Sequence, residues 1–347
     1  MKILRRLPLV ILVLSASLAA VFFWASGPAR RIPSAGIIHF PEYEKNLPKA
    51  PKNITVMTYN VGYASGLKNN LGNVLSRAEV YTNLDKIALC LQKNNIDIAG
   101  LQEIDLSSAR TFGIDQLKYL AHKAEYPYLA YAVNWNKRYL PFPVTLDFSK
   151  HFGSIISGIA VLSKFPITEN MVHVFVKPAN NSFLYNAFYI DRDIQMLSIR
   201  LEESKQLYFN NLHLEAYDIK SREAQVGDLV RLLKARGFPG GISIVTGDFN
   251  ALLPGATQKN GFMDEPDIDF AGDNSLQVMV EQSGLLEPFL VAGTPGQETF
   301  SFPSGSPTRG LDHIFFSPGL RLKRVFVDRE AGSGSDHLPV SAVFELP

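Results

Sequence analysis

Ile242-Ser243-Ile244-Val245-Thr246-Gly247-Asp248-Phe249-Asn250-Ala251 carries a strand and its chemistry in ten residues. The largely β-branched run from Ile242 to Val245 reads as a buried strand, and Gly247 ends it. Asp248 and Asn250 lie two apart, which in extended chain means the same side, so a carboxylate and a carboxamide point together into one cleft. An Asx-rich turn that merely caps the chain fits the same residues. What separates the two readings is whether other strands end the same way.

Several do. Ile54 to Val61 alternates like a strand and leaves Asn60 near its C-terminal edge. Ile96 to Ile104 is an apolar strand that delivers Glu103 at its end; burying an unpaired carboxylate is costly, so Glu103 is at the surface, salt-bridged or holding a cation. Leu207 to Glu215 carries His213, Asp312 opens a strand running to Phe316, and the loop Gly332 to Ser335 ends in Asp336-His337. Strand ends bearing carboxylates, amides and two histidines can build one oxygen-rich cation site beside one acid/base site. With no thiolate cluster the donors favour Mg²⁺ or Mn²⁺ over structural zinc. A hard divalent ion with a general base suits phosphoryl chemistry, with His337 activating water.

The 347 residues suffice for two average domains or one large layered one, and 46% hydrophobic content provides a core. Cys90 is the single cysteine, so the fold holds by packing alone and the thiol is read as buried and inert. Charge is uneven. The first 31 residues hold five of the 34 basic residues and none of the 33 acidic ones, leaving the rest of the chain at net −4. A mildly acidic body argues against tight duplex binding.

Lys2, Arg5 and Arg6 precede an uncharged run from Leu7 to Ala25, which reads as a signal-anchor or signal peptide over residues 1–27. Bulky Val21-Phe22-Phe23-Trp24 make a poor cleavage site and Trp24 suits an interfacial belt, favouring an uncleaved anchor. The expected location is membrane-anchored on the extracytoplasmic side, or secreted or periplasmic after cleavage. Prolines 33, 41, 48 and 51 make 28–52 an expected Pro-rich linker, with the domain spanning 53–347. Amphipathic spacing predicts helices over Arg77 to Asn94 and from an N-cap at Ser221 to Gly237, and a further helix is expected around Ser275 to Ser283. Tyr185 to Leu201 reads as one or two strands interrupted by Arg192, and 252–274 as a solvated acidic loop that lacks the glycine and closing glutamate of an EF-hand. The aromatic segment from Tyr128 to Phe152 reads as a mini-core, a substrate-facing wall or a lipid-touching patch.

Thr58-Tyr59-Asn60-Val61, Leu101-Gln102-Glu103, Asn211-Leu212-His213-Leu214, Gly247-Asp248-Phe249-Asn250-Ala251, Leu311-Asp312-His313-Ile314 and Ser335-Asp336-His337-Leu338-Pro339 together resemble the endonuclease/exonuclease/phosphatase superfamily. The resemblance covers about Asn53 to Pro347. It implies one α/β domain, a four-layer α-β-β-α sandwich of two mixed sheets flanked by helices. It further implies Glu103 as principal Mg²⁺ ligand with Asn60 and Asp336 beside it, and His337 as general base or phosphate-polarising group oriented by Asp312. Asp248 and Asn250 would orient the nucleophilic water and hold the phosphate, and His213 would donate to a non-bridging oxygen. Arg192 falls where many members carry an arginine. The substrate stays open: a phosphate ester of a lipid or of nucleic acid, hydrolysed by a monomer, or none at all in a catalytically silent relative.

Overall fold

Alternate residues of the strand Asn53–Asn60 serve two cores: Ile54 and Val56 pack between the sheets, whereas Met57 and Tyr59 pack beneath helices. A strand buried on both faces belongs in the middle of a layered sandwich. The computed structural model describes residues 2–46, 51–69, 71–72, 74–238, 240–293 and 296–347. In chain order the elements are α1 (Lys2–Ser26), β1 (Ala35–His39), β2 (Asn53–Asn60), α2 (Arg77–Lys93), β3 (Ile98–Asp105), α3 (Gln116–Ala124), β4 (Tyr128–Leu140), β5 (Gly153–Ser163), β6 (Ile167–Val174), α4 (Phe183–Asn186), β7 (Asp193–Glu202), β8 (Lys205–His213), α5 (Ile219–Ala235), β9 (Ile242–Asp248), α6 (Ser275–Gln282), α7 (Pro288–Ala292), β10 (Asp312–Phe316), β11 (Arg321–Val327) and β12 (Val340–Glu345).

Seven strands form one mixed sheet in the order β1-β4-β5-β3-β2-β12-β11, and five form the other in the order β10-β9-β8-β7-β6. The expected four-layer sandwich is therefore present. Helices α2 and α3 contribute Val80, Leu84, Ile87, Leu117 and Leu120 to the core on the first sheet, and α5 and α6 contribute Val226, Leu229, Leu276 and Met279 to the core on the second. The sheets approach closely at Gly100, where a Cβ would lie 2.5 Å from Thr246 Oγ1 and 2.7 Å from Asn211 Oδ1. Asn211 bridges the layers from there, its amide nitrogen donating to the carbonyls of Leu101 and Ala160.

The predicted helices form with shifted details. Helix α2 starts in a capping box: Ser76 Oγ accepts from the Glu79 N–H, and Glu79 Oε2 accepts from the Ser76 N–H. Helix α5 starts earlier than expected, because Asp218 caps it by accepting from the Ser221 N–H. Arg192 does not interrupt a strand; β7 begins just after it, behind the short helix α4. The acidic loop 252–274 is fastened where Arg309 pairs bidentately with Asp264, at 2.8 and 3.0 Å.

The segment read as a linker is largely part of the domain. Residues 35–39 form β1, which pairs antiparallel with β4 from Ala35↔Ala132 to His39↔Tyr128. Prolines at 33 and 41 bracket a run, Gly36-Ile37-Ile38, apolar enough to add to a sheet edge, and spacing of prolines alone did not reveal it. Pro48 lies outside the described residues. Cys90 is buried and its Sγ donates to Asp328 Oδ2 at 3.3 Å, with burial raising the thiol pKa.

Candidate active site

The register of the second sheet sets a row of polar groups across its end: Asp193 pairs with His213, His213 with Asp248, and Asp248 with Asp312. On the facing sheet β2 ends at Asn60, and the β3–β5 register slips between Leu101 and Ile104, freeing Glu103 from the ladder. Glu103 has φ +53° and Asn250 has φ +50°. Both are left-handed conformations that cost a non-glycine residue energy and cluster at functional sites.

The two sheets meet through these side chains. Asn60 Nδ2 donates to Asp248 Oδ2 at 2.9 Å, and Asn60 Oδ1 accepts from the Gly62 N–H at 3.0 Å. Gly62 has φ +51°, and a Cβ there would sit 2.5 Å from Asp336 Oδ1, so only glycine leaves that carboxylate its place. Ser335 Oγ donates to the Asn60 carbonyl at 2.7 Å, tying the Asp336-His337 loop to the end of β2.

Glu103 and Asp336 face one point. A single amide nitrogen, Asn69 Nδ2, lies 3.1 Å from Glu103 Oε2 and 3.1 Å from Asp336 Oδ2. Neither acid forms an ion pair among the described residues. Burial raises the Glu103 pKa, and the charge of Asp336 adds to it. Two converging carboxylates sharing a neutral donor, with an all-oxygen donor set, fit a hard cation.

The second cluster is held by hydrogen bonds. His337 Nδ1 lies 2.8 Å from Asp312 Oδ2, which also accepts from Ser301 Oγ at 2.6 Å. Phe302 packs on the imidazole with ring centroids 4.6 Å apart. Asp248 Oδ2 lies 3.8 Å from His337 Nε2 and 3.5 Å from His213 Nε2. One ligand-capable atom from each of Asp248, Asp312 and His337 falls within 4.8 Å of the others. Burial works against a charged His337, but Asp312, Asp248 and Asp336 outweigh it and push its pKa up to about 10. Asp248 is raised by burial and by Asp312. His213 goes the other way, lowered by burial and by the Arg192 and His337 charges, so it is neutral.

Glu103, His213, Asp248, Asn250, Asp336 and His337 line one cleft. Asn60 and Asp312 stand buried behind its wall. All eight residues singled out in the sequence are therefore brought together. The nearest carboxylate to His213 is that of Asp248, 3.5 Å from Nε2. Asn69, Tyr189 and Glu215 escaped sequence reading, whereas Arg192 was singled out there on the resemblance. Asn69 sits in an irregular segment after β2 and belongs to no motif. Arg192 reaches the cleft from the start of β7, with Glu215 Oε2 3.8 Å from its Nε, and Tyr189 OH donates to Glu215 Oε1 at 2.6 Å. Glu215 lies two residues beyond His213, and that spacing was the available signal.

No curated protein matches the chain by sequence. Among solved structures, an endonuclease/exonuclease/phosphatase family protein from Bacteroides thetaiotaomicron superimposes with TM-score 0.56 at 21% identity, covering 85% of this chain and 98% of that one. A mannosyl-6-phosphatase from the same organism gives TM-score 0.54 at 20% identity over 83% and 98%. The human Nocturnin catalytic domain, solved with a bound sulfate anion, gives 0.58 at 17% over 88% and 99%. At these identities the likeness is one of fold. The family model described as Endonuclease/Exonuclease/phosphatase family matches residues 57–337, nearly the whole sandwich with every strand end that carries the cleft, and the chain belongs to that family of phosphoric-ester hydrolases.

Proposed function

We propose that the chain is a Mg²⁺-dependent phosphodiesterase held at a membrane by α1, with a hydrolase domain that takes in β1 as well as residues 53–347 and a lipid phosphoester as its substrate. The observation that carries the reading is the pairing of Glu103 and Asp336 around one amide nitrogen, beside the Asp312–His337 pair in the same cleft. Helix α1 supports the membrane part: Pro8–Ser26 is 19 residues long with mean hydropathy 2.3. The acidic body supports lipid over nucleic acid.

Glu103 and Asp336, with Asn60 beside them, would hold the ion. Bound there, Mg²⁺ supplies charge neutralisation on the transferring phosphoryl group. The chain's own residues do the rest. Asp312 accepts the Nδ1 proton of His337 in a hydrogen bond, so Nε2 is the ring atom turned to substrate, positioned to polarise a phosphate oxygen in the charged form or, once neutral, to take a proton from water. Asp248 and Asn250 orient that water, Asn250 being fixed by its amide donating to the Leu214 carbonyl at 3.1 Å. Neutral His213 donates to a non-bridging oxygen, and Arg192 adds positive charge at the wall.

Release of labelled headgroup from vesicles is expected to require Mg²⁺, to stop with a chelator and to be lost in His337→Ala. Failure on every lipid of a panel, with Mg²⁺-dependent nicking of plasmid that weakens steeply as salt rises, would assign the cleft to nucleic acid instead.

A further inference from the structure

The apolar helix is fastened to the domain at its last turn, without a stalk. Residues 8–21 of α1 stand exposed, while Ala25 is buried against the domain. Strand β4 satisfies the helix's final carbonyls: Arg138 Nη1 donates to the Trp24 carbonyl at 3.2 Å, Lys137 Nζ to the Ser26 carbonyl at 3.3 Å and the Arg138 N–H to the Gly27 carbonyl at 2.7 Å. Trp24 stacks on Tyr139 at 6.4 Å between centroids, and Phe22 packs on Phe183 at 5.9 Å and Phe188 at 5.6 Å.

That attachment lies at the cleft end of the sandwich. Trp135 and Asp105 both pair with Ser157, so residues 137–140 of β4 run on past the end of β3 that bears Glu103. Around the attachment two segments expose apolar side chains to solvent: Val144, Leu146 and Phe148 in the loop after β4, and Phe183, Leu184 and Tyr185 in α4. Val144 and Leu146 are 93% and 92% exposed. The two segments join through one aromatic cluster, in which Phe142 packs on Phe152 at 5.4 Å and Phe152 lies in the core with Phe188. The α4 segment also continues into the cleft wall, since Tyr185 packs on Tyr189, and Tyr189 bonds the Glu215 that pairs with Arg192.

A hydrocarbon layer of about 30 Å takes about 20 helical residues. The apolar run supplies 19 and ends at Ser26, inside the fastened turn. To bury that run, the bilayer surface must come up to β4. We propose that loop 141–149 and α4 form a seating surface for the lipid bilayer, so that the cleft opens at headgroup level and takes phosphoesters carried by lipids of the same leaflet. This rests on the membrane reading of α1 given above and adds to it a fixed orientation of the domain.

The test uses the full chain in phospholipid nanodiscs, with an environment-sensitive thiol probe placed by Leu146→Cys, Leu184→Cys, Leu18→Cys within α1, or Glu203→Cys in the β7–β8 turn at the opposite end of the sandwich. The buried Cys90 does not compete for label. Doxyl groups on the lipids are expected to quench the probes at 146, 184 and 18 and to leave the one at 203 bright. Quenching at 18 alone would overturn the seating surface and leave the anchor standing. No quenching at 18 would remove the anchor and the seating surface together, while headgroup release by the same samples would still report on the proposed chemistry. Probes at 146 and 184 that escape lipid quenching but become shielded from a water-borne quencher as protein concentration rises would overturn seating in favour of a second copy of the chain.

Discussion

Asp312 Oδ2 lies 2.8 Å from His337 Nδ1 and is held there by the Ser301 hydroxyl at 2.6 Å. The carboxylate does not line the cleft, so the role proposed for it passes through the imidazole. Asp312→Asn keeps the shape and removes the charge; kcat is expected to fall by about 10²-fold or more with KM little changed. Ser301→Ala, which loosens the carboxylate without removing it, should cost less. Steady-state kinetics on both variants check the order.

Glu103 is half-buried and its pKa is raised by desolvation and by Asp336, so its charged form destabilises the ion-free protein at neutral pH. Glu103→Gln should therefore raise the melting temperature in chelator. In the wild type, Mg²⁺ at about 100 times its Kd adds about 2.7 kcal/mol of stability, and that gain should vanish in the variant. Thermal melts with and without Mg²⁺ read both effects.

At Gly62 the positive φ and the nearby Asp336 carboxylate act together. Gly62→Ala is expected to cost about 1–2 kcal/mol from the left-handed backbone and to displace Asp336 as well. Denaturant midpoints should drop modestly while Mg²⁺ affinity drops sharply. Gly113→Ala, also at positive φ but with nothing within 4 Å of the added Cβ, should lose stability alone.

Glu287 caps α7 by accepting from the Leu290 N–H at 2.8 Å, and burial pushes its pKa up to about 7. Below the ordinary carboxylate value both folded and unfolded states hold the proton, so there is no penalty. As pH rises toward 7 the unfolded chain ionises first, and stability falls by up to about 3 kcal/mol. Glu287→Gln should flatten that part of the stability–pH curve, measured by urea unfolding from pH 4 to 8.

Strand-terminal motifs announced the cleft because each is local: an apolar run followed by a fixed polar residue can be read without knowing its neighbours. Asp248 and Asn250 are of this kind, as are Glu103 and the Asp336-His337 pair. Asn69 could not be read this way, since its role comes from a turn that brings it between acids 34 and 267 residues away. The pairing of β1 was hidden for a related reason: a five-residue strand among prolines gains its ladder of hydrogen bonds from β4, nearly a hundred positions later. The starts of α2, α5 and α6 were legible to within three residues, the error at α5 arising because Asp218 and Ser221 are both good caps and Asp218 comes first, whereas α3, α4 and α7 were not read.

The short strand β1 also determines where the chain can be shortened. Cutting before Asn53, at the boundary the proline spacing suggests, would strip the partner from residues 128–132 and leave their backbone donors and acceptors open along a free rim. Such a fragment would be prone to stick to itself through that rim. A fragment beginning at about residue 32 would keep the rim closed while dispensing with the apolar helix.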